Sequence, residues 1–117
     1  MGGATGLGCA ERHGDVCWVQ SPDRSGRRPA LILTRSSAIG YLNAITVAQV
    51  TTTIRGTPAE VLLVESDGMP QRCVASLDNL QTVRKAHFGP LIVHLSAERM
   101  RQVRSALEFA LGFNEMR

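Results

Sequence analysis

Short apolar runs broken by turn residues fill most of this chain, and a longer stretch with helical spacing closes it. Asp15 to Gln20 (DVCWVQ) is rich in β-favouring residues and is bounded by Gly14 and by Ser21-Pro22-Asp23, which predicts a strand. Residues 21–28 (SPDRSGRR) form a polar loop. Pro29 to Thr34 (PALILT) predicts a second strand, with proline at its first position, where a missing N–H is tolerated. Residues 35–43 read as a turn or one short helical segment. Ala44 to Ile54 (AITVAQVTTTI) is the longest β-type run, and Arg55-Gly56-Thr57-Pro58 is a turn. Ala59 to Glu65 predicts a fourth strand, residues 66–70 another turn, and Arg72 to Leu77 a fifth strand. A short sixth strand is placed near Leu80 to Val83.

The pattern then changes period. Met100, Val103, Leu107, Ala110 and Leu111 recur at helical spacing, with Arg99, Arg101, Arg104 and Glu108 on the other faces. Ser96 is a suitable N-cap, Glu98 an acidic residue in the first turn, and Gly112 a natural C-terminal cap. Five or six short strands closed by one helix predict a mainly β, α+β fold, a small and strongly curved antiparallel barrel. Residues 1–13, rich in glycine and small side chains, are expected to be a flexible tail, with one domain over residues 14–117.

Composition sharpens this picture in three ways. Aromatic residues make up only 4% of the 117, so the core must be built from Val, Ile, Leu and Ala. The net charge of +3 comes from 13 basic residues, all but Lys85 arginines, several of them clustered at positions 24–35 and 99–104. A guanidinium binds phosphate through a planar fork of donors, so the bias suits a polyanionic partner. Cys9, Cys17 and Cys73 are odd in number and lack metal-ligand or redox spacing. Cys17 and Cys73 fall in apolar runs, where free thiols act as small core residues, and a reduced, cytoplasmic compartment fits. The N-terminus has no basic region followed by a long apolar stretch, and no run approaches the roughly 18 apolar residues of a membrane helix.

The usual catalytic groups are absent as constellations. His13, His87 and His94 do not stand at i+2, i+3 or i+4 from one another, so they form no histidine metal motif, and His94 reads as a polar residue on a strand edge. The carboxylates are scattered: Asp15 supports the start of the first strand, and Asp67 and Asp78 supply turn chemistry. Two-metal phosphodiester cleavage needs converging carboxylates, and a nucleophile elbow needs G-x-S-x-G; the chain has neither. What remains is Arg27-Arg28-Pro29 where a loop enters a strand, and Thr51-Thr52-Thr53 where another strand ends. A guanidinium fixed near hydroxyls makes a site for phosphate and its developing charge. The plain alternatives are a solvated basic loop and a β-branched strand end.

The order of segments resembles that of the MazF/PemK toxins. The resemblance lies in Gly14-Asp15-Val16, Arg28-Pro29-Ala30-Leu31-Ile32-Leu33, Val47-Ala48-Gln49-Val50-Thr51, Val74 to Val83 with Lys85, and Leu95-Ser96-Ala97-Glu98-Arg99-Met100, covering roughly residues 14–113. It implies an SH3-like barrel, a homodimer, a cognate MazE-like antitoxin, and cytoplasmic, sequence-specific cleavage of single-stranded RNA without a cofactor or metal. Carried over by position, the catalytic residues are Arg28 and Thr51. Arg24, Arg27, Thr52, Thr53, Asn79, Gln81 and Lys85 are expected to line the RNA groove. In-line attack by the 2′-hydroxyl would leave a 2′,3′-cyclic phosphate and a 5′-hydroxyl. Arginine is a poor general base, since it deprotonates only above about pH 12, so the proton carriers stay open.

Departures from the family pattern limit what transfers. The loop before Arg28 is short and lacks the Glu-Gln often found there. The family's Gln-Ile-Arg-Thr reads Asn79-Leu80-Gln81-Thr82, and Arg84 stands where an acidic residue is common. The recognised RNA sequence therefore does not carry over, nor does the choice among messenger, ribosomal and transfer RNA. Trp18 is expected in the core, with arginine planes doing any stacking. A second reading keeps the barrel and changes the activity: a non-catalytic toxin of the CcdB kind that inhibits gyrase by protein binding.

Overall fold

The computed structural model describes residues 12–21 and 26–115, so the expected tail over residues 1–13 falls outside it except for Arg12 and His13. Six strands form one curled antiparallel sheet: β1 Asp15–Gln20, β2 Arg27–Ile32, β3 Ala44–Thr51, β4 Glu60–Leu63, β5 Cys73–Arg84 and β6 Phe88–His94. Their order is β4-β5-β3-β2-β1-β6. A short helix, α1 (Ser36–Ile39), joins β2 to β3, and a longer one, α2 (Ala97–Ala110), closes the chain. This is the mainly β architecture with a C-terminal helix that the sequence predicts.

Both faces of the sheet are covered, which is why PALILT and AITVAQV read as almost continuous apolar runs. Successive residues alternate between two clusters. Val16, Leu31, Ala48, Val50, Val61, Leu63 and Leu77 pack on one face with Val103 and Ala106 of α2. Cys17, Val19, Ala30, Ile32, Ile45 and Val47 pack on the other with Ile39 of α1. Each fully buried aliphatic side chain contributes about 1.5–3 kcal/mol, and the two clusters together hold the sheet's curl.

Three elements differ from expectation. The predicted fifth and sixth strands are one strand, β5, which is bulged: Ala48 pairs with Leu80, but Gln49 pairs with Ser76. Asn79 Nδ2 donates to Ser76 Oγ at 2.9 Å and closes the bulge. The strand β6, for which the sequence reading gave no bounds beyond placing His94 on a strand edge, pairs with β1 alone and forms a sheet edge that ends at His94. Cys17 is disulfide-bonded, so the expectation of free core thiols holds for Cys73, whose thiol is pushed up by burial.

The ends of the domain are tied by polar groups. Gly14, at φ 97°, donates its N–H to Ile32 O at 3.0 Å and accepts from Leu95 N at 3.0 Å. The buried Asp15 carboxylate accepts from His94 Nδ1 at 2.8 Å and from the Arg12 N–H at 3.2 Å. Ser96 caps α2 by accepting the Arg99 N–H at 3.1 Å, as predicted, and Gly112 beyond its end has φ 83°. Arg99 Nε donates to Asp67 Oδ1 at 3.1 Å, while Asp67 Oδ2 accepts the Val64 N–H at 2.8 Å. The Arg99 hydrogen bond holds the Asp67 carboxyl below its ordinary range, against the opposing effect of desolvation. Among the described residues no helix is long and apolar enough to cross a membrane.

Candidate active site

Strand register positions the candidate side chains. In β1·β2 Val19 pairs with Arg28 and Trp18 with Pro29; in β2·β3 Ala30 pairs with Gln49. The β2·β3 ladder ends at Ala30–Gln49, and Arg28 and Thr51, the last residue of β3, lie two residues beyond it on their strands and both border the smaller of two cavities. Arg28 and Thr51 thus share the face of Val19, Ala30, Val47 and Gln49, whereas Arg27 shares the opposite face with Trp18 and Pro29.

Two cavities meet at this point. The larger, about 640 Å³, is lined by Arg28, Ala30, Val47, Gln49 and Gln81, with Arg84 and His87 at its rim. The smaller, about 240 Å³, is lined by Trp18, Arg27, Arg28, Thr51 and Thr52. Arg28 borders both, and neither is lined by an aspartate or a glutamate. Among the described residues no three or more His, Cys, Asp or Glu side chains gather into a group that could hold a metal ion. The charge that the chain brings to these cavities is therefore that of arginine.

The Arg28 side chain is exposed and makes no hydrogen bond or ion pair with any described residue, which leaves its fork open to an anion. Thr51 is half-buried, and its Oγ1 accepts the Thr53 N–H at 3.1 Å. With that acceptor position filled, the hydroxyl proton is left to donate to an oxygen beside it. Arg27 stands with its guanidinium carbon 5.1 Å from the centre of the Trp18 ring.

The remaining expected groove residues divide. Gln81 lines the larger cavity, and Thr52 the smaller. Thr53 orients the Thr51 hydroxyl through its backbone. Asn79 is engaged in the bulge. Lys85 is not on either cavity: its Nζ donates to Ile39 O at 2.7 Å and Gly40 O at 3.5 Å, neutralising carbonyls at the end of α1. Arg24 lies outside the described residues. Gln49, Arg84 and His87 are among the cavity residues that the sequence reading left unassigned. Gln49 carried a usable signal, as the amide interrupting an otherwise apolar strand. Trp18, expected in the core, is half-buried and forms a cavity wall.

Residues 12–111 match the profile of the PemK-like, MazF-like toxins of type II toxin–antitoxin systems. The probable endoribonuclease MazF5 of Mycobacterium tuberculosis is 39% identical over 100 residues, which span 85% of this chain and 91% of that protein. Endoribonuclease MazF3 of the same species is 42% identical over 72 residues, 62% of this chain and 70% of that one. Among solved structures, the Mycobacterium tuberculosis toxin MazF-mt6 superimposes with a TM-score of 0.76 at 34% identity, covering 83% of this chain and 95% of its own. A mycobacterial endoribonuclease in complex with its cognate antitoxin superimposes with a TM-score of 0.77 at 26% identity, covering 86% and 94%.

Proposed function

This chain belongs to the PemK-like, MazF-like toxin family, and from that premise we propose that it is an endoribonuclease toxin whose Arg28 and Thr51 grip the scissile phosphate of single-stranded RNA. The observation that carries the reading is an exposed guanidinium, without a side-chain partner among the described residues, that borders two carboxylate-free cavities and shares the smaller one with the Thr51 hydroxyl.

RNA supplies its own nucleophile. The 2′-oxygen attacks phosphorus in line, losing its proton, while the bond to the 5′-oxygen breaks and that oxygen takes one up. The products are a 2′,3′-cyclic phosphate and a 5′-hydroxyl. Negative charge grows on the non-bridging oxygens as the pentavalent state forms. Arg28 aims its N–H fork at those oxygens, and Thr51 donates its hydroxyl proton to one of them. A donor aimed at charge that develops only in the transition state is worth roughly 10²–10³ in rate. Arg27, Thr52 and Gln81 extend the binding surface on either side of the phosphate.

The chain acts in the cytoplasm, where its substrate lies, and works as a homodimer held in check by a MazE-like antitoxin. Support for the antitoxin comes from the related endoribonuclease solved with its cognate one, and from cavities whose arginines would accept acidic side chains as readily as RNA. The matched relatives carry the names of endoribonucleases, and the gyrase-poisoning alternative finds no support among them. Incubating the pure protein with a long unstructured RNA in EDTA tests the reading. Discrete fragments ending in 5′-hydroxyls are expected; intact RNA would overturn it.

A further inference from the structure

We infer that the smaller cavity is a nucleobase pocket, in which one base flanking the scissile phosphate stacks on Trp18 and is capped by Arg27. The inference rests on the ribonuclease reading and names a recognition element within that site. Its first ground is the chemistry of the walls. Val50, Met69, Pro70 and Cys73 make an uncharged side, Trp18 supplies an aromatic face, and Arg27 supplies a planar cation. Burial keeps the Cys73 thiol protonated, so that side carries no charge to repel an anionic chain. The polar members, Thr52 and Gln71, are exposed and stand where a base edge could be read.

Size and position supply the second ground. A volume of about 240 Å³ equals roughly eight waters at about 30 Å³ each, room for one flat ring system and not for a stack of two. Because Arg28 and Thr51 line this cavity, a ring seated in it lies one ribose away from the phosphate they hold. The larger cavity has no indole or phenyl ring, its planar groups being His87 and the arginines, so the broadest stacking face is on this side.

Room for the cap is the third ground. Gly89 crosses Trp18 where β6 is irregularly paired with β1, and a Cβ there would stand 3.7 Å from Trp18 Cβ and 4.0 Å from Arg27 Nη1. Both are ordinary contact distances, so the backbone lies beside the guanidinium without covering it, and the exposed Arg27 has room to lift from the indole and settle on an entering base. Aromatic and guanidinium planes are the two surfaces that hold unpaired bases without needing their sequence.

Trp18 is the single tryptophan of the chain, so its fluorescence reports on this pocket alone. The probe is an RNA decamer spanning a mapped cut, with 2′-deoxyribose at the attacking position so that it binds without reacting. Saturable quenching by this decamer is expected. An abasic residue at one of the two nucleotides flanking the cut should abolish the quenching and weaken binding roughly 5- to 100-fold, and abasic residues elsewhere should not. Arg27→Ala, an exposed change that spares the fold, should weaken the intact decamer similarly while leaving the matching abasic decamer unaffected. Binding with unchanged emission, or an equal effect of abasic residues at every position, overturns the pocket. Should the protein cut no RNA, the nuclease reading fails by itself. Titration with the four homopolymeric ribodecamers then decides the pocket: saturable quenching by one of them supports it, and quenching by none overturns it.

Discussion

Replacing Arg28 separates chemistry from folding more cleanly than any other change in this chain. Its side chain is exposed, pairs with no described residue and belongs to neither core cluster. Arg28→Ala therefore leaves no buried partner unsatisfied and opens no core void. Surface changes of that kind usually stay within about 0.5 kcal/mol, a shift of a few degrees at most in melting temperature. On the proposed reading the transition state would lose its main donor, at a cost of roughly 2.7–4 kcal/mol, or 10²–10³ in rate. Arg28→Lys keeps the charge but replaces the fork with a compact ammonium, so it should recover only part of that loss. Single-turnover cleavage of a fluorogenic RNA, read beside thermal melts of the same preparations, checks both values. Wild-type cleavage by Arg28→Ala would refute the assignment. A loss of activity that tracks a loss of structure would refute the reasoning behind it, since the side chain would then be holding the fold.

Other residues give independent tests. Thr51→Ala removes a donor to a charged oxygen and should slow cleavage about 10- to 100-fold, whereas Thr51→Ser should keep most of the rate; equal loss in both would point to packing. Asp67 has its carboxyl lowered by Arg99, so the stability it adds is complete above an unfolded value of about 3.9 and fades as pH falls through its lower folded value. Asp67→Asn should flatten that acid dependence of the urea midpoint below about pH 4, and an unchanged slope would rule the pair out. Gly68 has φ 102°, and an added Cβ would meet Val93 Cγ2 at 2.7 Å. Gly68→Ala should cost more than the roughly 1–2 kcal/mol of left-handed backbone strain alone, visible as a lowered melting temperature with the pocket fluorescence of Trp18 retained.

Local signals made some elements legible and hid others. Runs buried on both faces stand out by length and bounding turns, as in PALILT and AITVAQV, and the Ser96 cap with Gly112 framed α2 within a residue or two. β5 was split because Asp78-Asn79 looks like turn chemistry, whereas the pair forms a bulge that Ser76 closes by a contact specific to the folded sheet. β6 was missed because Gly89-Pro90 interrupts its pattern; a proline is tolerated there because the strand is an edge, a fact of topology. Lys85 was assigned to the groove through the resemblance of its segment to the family's strand-and-turn motif, and such a likeness does not say whether an ammonium meets a phosphate or the carbonyls of a short helix. Trp18 was assigned to the core by the default of large side chains, although its neighbour across β2 is the proline beside two arginines.

The site owes its rigidity to where the apolar cover ends. Along β2 burial rises from the exposed Arg27 and Arg28 through Pro29 to the fully covered Leu31 and Ile32. Along β3 it falls from Val47, Ala48 and Val50 to the half-covered Thr51. Because the two strands are antiparallel, both losses of cover fall at the same end of the pair. Backbone position there is fixed by ladders anchored in the two clusters, while the side chains face solvent and can meet an anion without being desolvated beforehand. That combination is what a preorganised donor pair requires, since donors held in place need not reorganise as charge develops. It also bears on remote variants. A change at Ala30 or Val47, both buried and lining the larger cavity, would shift the strand pair and so the Arg28–Thr51 spacing. Ala30→Val should accordingly lower the cleavage rate more than its effect on stability would suggest, and a rate that followed stability alone would show that the spacing is set elsewhere.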